Sequence, residues 1–306
     1  MKFHRIKGLA LFVLLFSSLI RAQSIELIHQ LQFGQTAEEV SNTLKAHSDA
    51  MKLIKPDQVN FPLAQNSEAH LLVTKLAVHD AVLEKVVFTF ADDQLVYLEA
   101  QGNVEQVFMA HRKDTARQYM DYQVYFDDLL FIRGDQDRAW LLTPESVHPN
   151  FFTWHNPYLD WKEDEIPVYE SSAEIPDWLQ MGANIEQLRP SLEEAATLVF
   201  EEELDGSDPN AQIQINAFGV AYAGFPRKIE ARFGDGKLNV VWILTAKGEE
   251  DRIRQKLIKV YGQPIEVMKD WEVFENWTVL LRKDKPEVLL LTKELGQFYK
   301  KDFFNK

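Results

Sequence analysis

The chain has 306 residues, 33 Lys and Arg against 47 Asp and Glu, a formal net charge of −14 and no cysteine. A body this acidic repels nucleic acid and anionic lipid, because phosphate binding needs clustered Lys and Arg. The missing thiols exclude a disulfide framework, while 20 Phe and 7 Trp supply the apolar mass of a packed core.

Residues 1–22 have the anatomy of an export signal. Lys2, Arg5 and Lys7 form a basic start, residues 9–20 an apolar run, and Ala22 a cleavage position. That run is shorter than the roughly 20 residues of a membrane span, and no later stretch is long and apolar enough. Without a cysteine to carry lipid, the expectation is a periplasmic or secreted protein with no anchor.

A helix is expected over 36–51, capped by Thr36 with Glu38 two residues on and Val40 and Leu44 on its apolar face. A polar connection with Pro56 and Pro62 follows. Alternation predicts strands at 70–79 and 82–90, a hairpin turn at Ala91-Asp92-Asp93-Gln94 and a return strand at 95–100. Val104, Val107, Phe108, His111 and Thr115 fall at helical spacing. Strands at 123–133 and 139–143 then flank the turn Gly134-Asp135-Gln136-Asp137.

Residues 146–178 hold Pro149, Pro157, Pro167 and Pro176, which forbid a continuous helix or central strand. Their aromatic content predicts an ordered crossover rather than a free tether.

Beyond it the order recurs. Asn184 is a second N-cap, with Glu186 two residues on and Leu188 and Leu192 on the helix face. Ile213, Ile215, Ala217 and Ala221 alternate in a strand, and 228–233 and 238–244 flank the turn Gly234-Asp235-Gly236-Lys237. A helix with Ile253, Leu257 and Tyr261 stops at Gly262, just before Pro264. Trp271, Val273, Trp277, Val279 and Leu281 are expected on one face of a single strand. The tail with Phe298, Tyr299, Phe303 and Phe304 is expected to be a short amphipathic helix docked on its own unit.

The correspondence extends to both ends. Residues 31–44 align with 179–192 without a gap, Arg133-x-Asp135 with Arg282-x-Asp284, and Leu141-Leu142-Thr143 with Leu290-Leu291-Thr292. The expected fold class is α+β: two tandem copies of a helix-plus-antiparallel-sheet unit, each with about five strands and helices on one face. The expected divisions are 1–22, a first unit at 23–145, the crossover at 146–178 and a second unit at 179–306.

Gly34, Thr36, Glu39, Val40 and Leu44, echoed over 182–192, with the hairpin at 233–238, resemble two groups of small envelope domains. These are the β-lactamase inhibitory proteins, themselves tandem repeats, and the small outer-membrane-assembly lipoproteins. The resemblance implies a fold of helix on antiparallel sheet. This chain lacks the lipid-bearing cysteine and its copies are longer, so neither the lipoprotein role nor lactamase inhibition is carried over.

Chemistry is sparse. The sequence has no nucleophile elbow, phosphate loop, zinc-protease helix or dinucleotide fingerprint, and no cofactor is implied. Residues 201–210 gather Glu and Asp around Gly206, without the spacing of a calcium loop, and fit a solvated acidic turn. His148 and His155 with Asp160 lack metal-ligand spacing, and His29, His47, His70, His79 and His111 are read as ordinary hydrogen-bonded side chains. Asp127-Asp128 and Glu163-Asp164-Glu165 are assigned to an exposed strand end and an exposed loop.

The functional hint is aromatic. Phe151, Phe152, Trp154, Tyr158, Trp161, Tyr169 and Trp178 crowd the crossover, and exposed Trp and Tyr anchor protein and carbohydrate contacts. The expected ligand or partner surface is Trp154, His155, Tyr158, Trp161 and Trp178. The leading expectation is a non-enzymatic protein that binds an envelope or extracellular protein. The alternative is an envelope hydrolase or carbohydrate-binding protein with its site in the groove between the units, near Trp154, His155 and Trp161.

Overall fold

The computed structural model describes residues 28–110, 112–150, 156–159 and 172–304, except the side chains of 148–150 and 303. The expected signal at 1–22 lies outside them. The described chain forms two compact units, one with 28–59, 66–147 and 156–159, the other with 60–65, 148–150 and 172–304. Helices are few, and each unit is built on an eight-stranded antiparallel sheet.

The first unit contains α1 (Ala37–Leu44), β1 (Ala50–Ile54), β2 (Glu68–Val78), β3 (Ala81–Ala91), β4 (Gln94–Gln101), α2 (Val104–Phe108), β5 (Arg117–Tyr119), β6 (Tyr122–Tyr125), β7 (Leu130–Arg133) and β8 (Arg138–Leu142). A short helix, α3 (Pro144–Asn150), follows. The sheet order is β1-β2-β3-β4-β8-β7-β6-β5, two four-stranded meanders joined where β4 pairs with β8.

Each local feature has a cause in the residues. The Thr36 hydroxyl accepts from Glu39 N at 3.2 Å while the Glu39 carboxylate accepts from Thr36 N at 2.8 Å, a reciprocal cap that starts α1. Donation from Thr36 N, and from the Thr36 hydroxyl at 3.0 Å, holds the Glu39 carboxyl below its usual range. Asp92 and Asp93 both take positive φ (49° and 59°), as a two-residue hairpin turn of this hand requires. Val40 and Leu44 of α1 then join Leu71, Val73, Val86, Phe88 and Phe90 in one core. Each such side chain contributes about 1.5–3 kcal/mol by leaving water.

The second unit contains α4 (Ile185–Ala195), β9 (Leu198–Glu203), β10 (Ile213–Tyr222), β11 (Phe225–Gly234), β12 (Lys237–Leu244), α5 (Glu250–Tyr261), β13 (Glu266–Val267), β14 (Trp271–Phe274), β15 (Val279–Arg282), β16 (Glu287–Leu291) and α6 (Lys293–Phe298). A π-helical turn, Tyr299–Phe303, ends it. The sheet order is β9-β10-β11-β12-β16-β15-β14-β13, the same sequence of neighbours as in the first unit. Leu188 and Leu192 of α4 and Ile253 and Leu257 of α5 pack on Ile229, Ala231 and Phe233 of β11.

Matching details accompany the matching order. Gly34 N donates to Leu95 O at 2.8 Å and Leu95 N to Gln35 O at 2.8 Å; Gly182 N donates to Leu238 O at 2.8 Å and Leu238 N to Ala183 O at 2.9 Å. Both glycines have positive φ (88° and 85°) with open space at the Cβ position, so the backbone, not crowding, favours glycine there. A bulge interrupts β3/β4 at Thr89/Phe90 and β11/β12 at Arg232/Phe233. Arg133 forks onto Asp135 (2.9 and 2.7 Å) with its guanidinium 5.3 Å from the Tyr122 ring centre. Arg282 forks onto Asp284 (2.8 and 3.1 Å), 5.3 Å from that of Trp271.

Several expectations need correction. The helix expected over 36–51 ends at Leu44, and 50–54 is an edge strand paired with β2 from Ala50↔Thr74 to Ile54↔His70. The helix expected through Thr115 is only α2, Val104–Phe108. The strand expected at 123–133 is two, β6 and β7, parted by a turn in which Leu129 has φ 51°. The strand expected through Trp271 and Leu281 is likewise β14 and β15, because Glu275, Asn276 and Trp277 all take positive φ. Each sheet therefore has eight strands instead of about five.

Candidate binding groove

Of the residues expected to form a partner surface, Trp154, His155 and Trp161 lie outside the described residues. Tyr158 does not face solvent: it is 4% exposed, and its ring lies 4.7 Å from that of His70 on the outer face of the first sheet. Trp178 is half-buried against the core of the second unit. Trp271 and Trp277 are taken up at the end of the chain, each with its ring 5.5 Å from that of Phe304.

Tyr158 marks a polar seam that the sequence hid. His70 Nε2 lies 2.7 Å from Glu68 Oε1, and Nδ1 lies 3.0 Å from Thr89 Oγ1. Asn156 Nδ2 donates to Thr89 Oγ1 at 3.1 Å, and its backbone N donates to Glu99 Oε2 at 2.7 Å. The same carboxylate accepts from the Tyr97 hydroxyl at 2.5 Å and from Arg138 at 3.2 Å. Burial, then the charge of Glu99, pushes the Tyr97 phenol well above its ordinary value. Glu, His and Thr in line are the residue types of a base and nucleophile. Here, however, His70, Thr89, Glu99 and Asn156 are all 0% exposed. The seam fastens residues 156–159 to the sheet.

The acidic runs also disperse. Glu202 accepts from Gln214 (2.8 Å) and Asn216 (2.9 Å), Asp205 from Ser207 N (2.9 Å) and Asp208 from Asn210 N (2.8 Å), while Glu201 pairs with Arg189. Asp128, expected at an exposed strand end, is half-buried in the β6–β7 turn, paired with Arg112. Among the described residues no group of three His, Cys, Asp or Glu is placed to hold a metal ion.

A groove of about 770 Å³ opens in the second unit, within the range of small-molecule and peptide sites. Its lining includes Gly182, Asn210, Lys237, Asn239, Glu294, Leu295 and Phe298. Asn239 is the extra residue of the β11/β12 bulge, so its side chain leaves the ladder. Its Nδ2 donates to Gly234 O at 3.1 Å, and no hydrogen bond among the described residues uses its Oδ1. Asn210 spends its Nδ2 on Asp208 at 3.1 Å, leaving the same acceptor.

The third wall is α6. Thr292 N donates to Asn239 O at 3.2 Å, and the Thr292 hydroxyl accepts from Leu295 N at 3.3 Å, so the helix starts against the bulge. Gly296 lets it lie close, since a Cβ there would come 2.2 Å from Trp277 O. That placement leaves Phe298 54% exposed over a 7% exposed Leu295. The Lys237 ammonium is exposed and pairs with no carboxylate among the described residues.

In the first unit the same framework carries other lining. Thr143 N donates to Val96 O at 3.2 Å, so Val96 stands where Asn239 does, and Gln94 begins β4 as Lys237 begins β12. The second unit thus has lysine where the first has glutamine, and asparagine where the first has valine. Against known proteins, no family model, no curated protein and no solved structure matches this chain.

Proposed function

We propose that this is a non-enzymatic interaction protein that works outside the cytoplasm and holds a protein partner in the groove of its second unit. The observation that carries the reading is that one groove is lined by the exposed Phe298 and by Lys237, an exposed ammonium with no carboxylate partner among the described residues. An aromatic at the centre of a contact, with a charge at its margin, is how protein interfaces concentrate binding energy. The buried carboxylates and His70 of the first unit are spent on internal hydrogen bonds, which suits a scaffold better than a catalyst.

The basic-then-apolar start at 2–22 supports export. The shared strand order, the paired caps and the paired Arg–Asp forks support two copies of one α+β unit. To test the binding role, wild type and a Lys237→Met/Phe298→Ala variant are compared as bait in extract of the native compartment. A stoichiometric protein held by the first and lost by the second, with both equally stable, supports it. Equal recovery on both baits, or none on either, overturns it.

A further inference from the structure

The groove's chemistry narrows its occupant. Two amide oxygens, on Asn210 and Asn239, await N–H donors, one ammonium awaits an anion, and Leu295 with Phe298 forms an apolar wall. A peptide supplies all three features: backbone N–H groups, a carboxylate and an apolar side chain. Glu294 also lines the groove, so a ligand with several negative charges would meet repulsion as well as attraction. One carboxylate beside an apolar side chain fits best, which is the chemistry of a chain end.

We propose that the groove binds the C-terminal residues of a partner polypeptide, its terminal carboxylate on Lys237 and an apolar side chain against Leu295 and Phe298. The inference rests on the interaction role above and adds the class of ligand. Capture of a free carboxylate with main-chain contacts and an apolar pocket is a recurring mode of peptide recognition.

The test is titration of the full protein, by calorimetry, with three acetylated tetrapeptides. One is Ala-Ala-Leu-Phe with a free carboxylate, the second its C-terminal amide, and the third Ala-Glu-Leu-Phe amide. An exposed ion pair sets the expected margin: the free acid should bind roughly fivefold more tightly than either amide. Lys237→Met should erase that margin, and Phe298→Ala should weaken all three. Equal binding of the three peptides, tighter binding of the Glu amide, or a margin that survives Lys237→Met overturns the inference. So does absence of binding by all three. If a partner is meanwhile captured through Phe298, the interaction role stands and only the chain-end assignment falls.

Discussion

Arg227 and Glu249 meet as a fork-to-fork ion pair inside the second unit, 2% and 1% exposed. The Glu249 carboxylate also accepts from Ala246 N at 2.7 Å, and Arg227 Nε donates to Tyr222 O at 3.3 Å. A buried pair repays its desolvation only while both partners are present. Arg227→Leu alone should therefore cost about 3–5 kcal/mol of unfolding free energy by denaturant titration. The double change Arg227→Leu/Glu249→Leu should recover much of that loss. A single variant as stable as wild type would refute the account.

Residues 60–65 belong to the second unit, and Arg252 grips them. Its Nη2 donates toward the carbonyls of Phe61, Pro62 and Ala64 at 3.4, 3.2 and 3.1 Å, and Phe61 is 0% exposed with its ring centre 6.1 Å from that of Phe225. Phe61→Ala should cost about 3–5 kcal/mol, the usual loss for a buried aromatic. Arg252→Lys should cost less, since one ammonium can stand in for the single nitrogen that donates. Thermal unfolding followed by near-ultraviolet circular dichroism ranks the two.

Burial pushes the Tyr122 phenol up to about 12. An unfolded tyrosine ionises near ~10, so the folded state keeps its proton longer. The stabilisation is complete below pH 10 and is lost as pH rises toward about 12. Tyr122→Phe should flatten that part of the stability profile, and an unchanged slope would rule out Tyr122 as its source.

Acid acts on the Arg–Asp forks. Hydrogen bonds from Arg133 and Arg282 hold the Asp135 and Asp284 carboxyls below their usual range. Their contribution is present above the unfolded value of ~3.9 and lost as pH falls through the lowered folded values. Both carboxylates face solvent, so the effect is small and salt weakens it. Asp135→Asn/Asp284→Asn should shallow the acid limb at low salt and leave it unchanged in 1 M salt. Equal wild-type and variant limbs at low salt would exclude the forks.

Much of the framework is legible in the residues because its causes are local. Asp92-Asp93 and Asp235-Gly236 specify hairpin turns, and Thr36 and Asn184 specify caps, whatever surrounds them. The turn at 126–129 escaped notice because Phe126 and Leu129 continue an apolar pattern while the backbone reverses. Residues 50–54 extend a helical pattern, yet pairing with β2 decides their state. The polar seam alternates along its strands like a solvated face, Glu68-x-His70 and Tyr97-x-Glu99, yet residues 156–159 pack on it and take up its polar groups. The groove draws on residues 182, 209–210, 237–239 and 292–298, and only the strand order brings these together.

The junction of β4 with β8 has a consequence for assembly. Strands β1–β4 and β5–β8 each zip through neighbours in sequence, so every pairing in the first sheet is short-range except that one. Closing it spans the longest loop and is the slow step expected of such a topology. A backbone nick near the exposed Asp114 would put β4 and β8 on separate pieces of chain, each left with the one edge that the other completes.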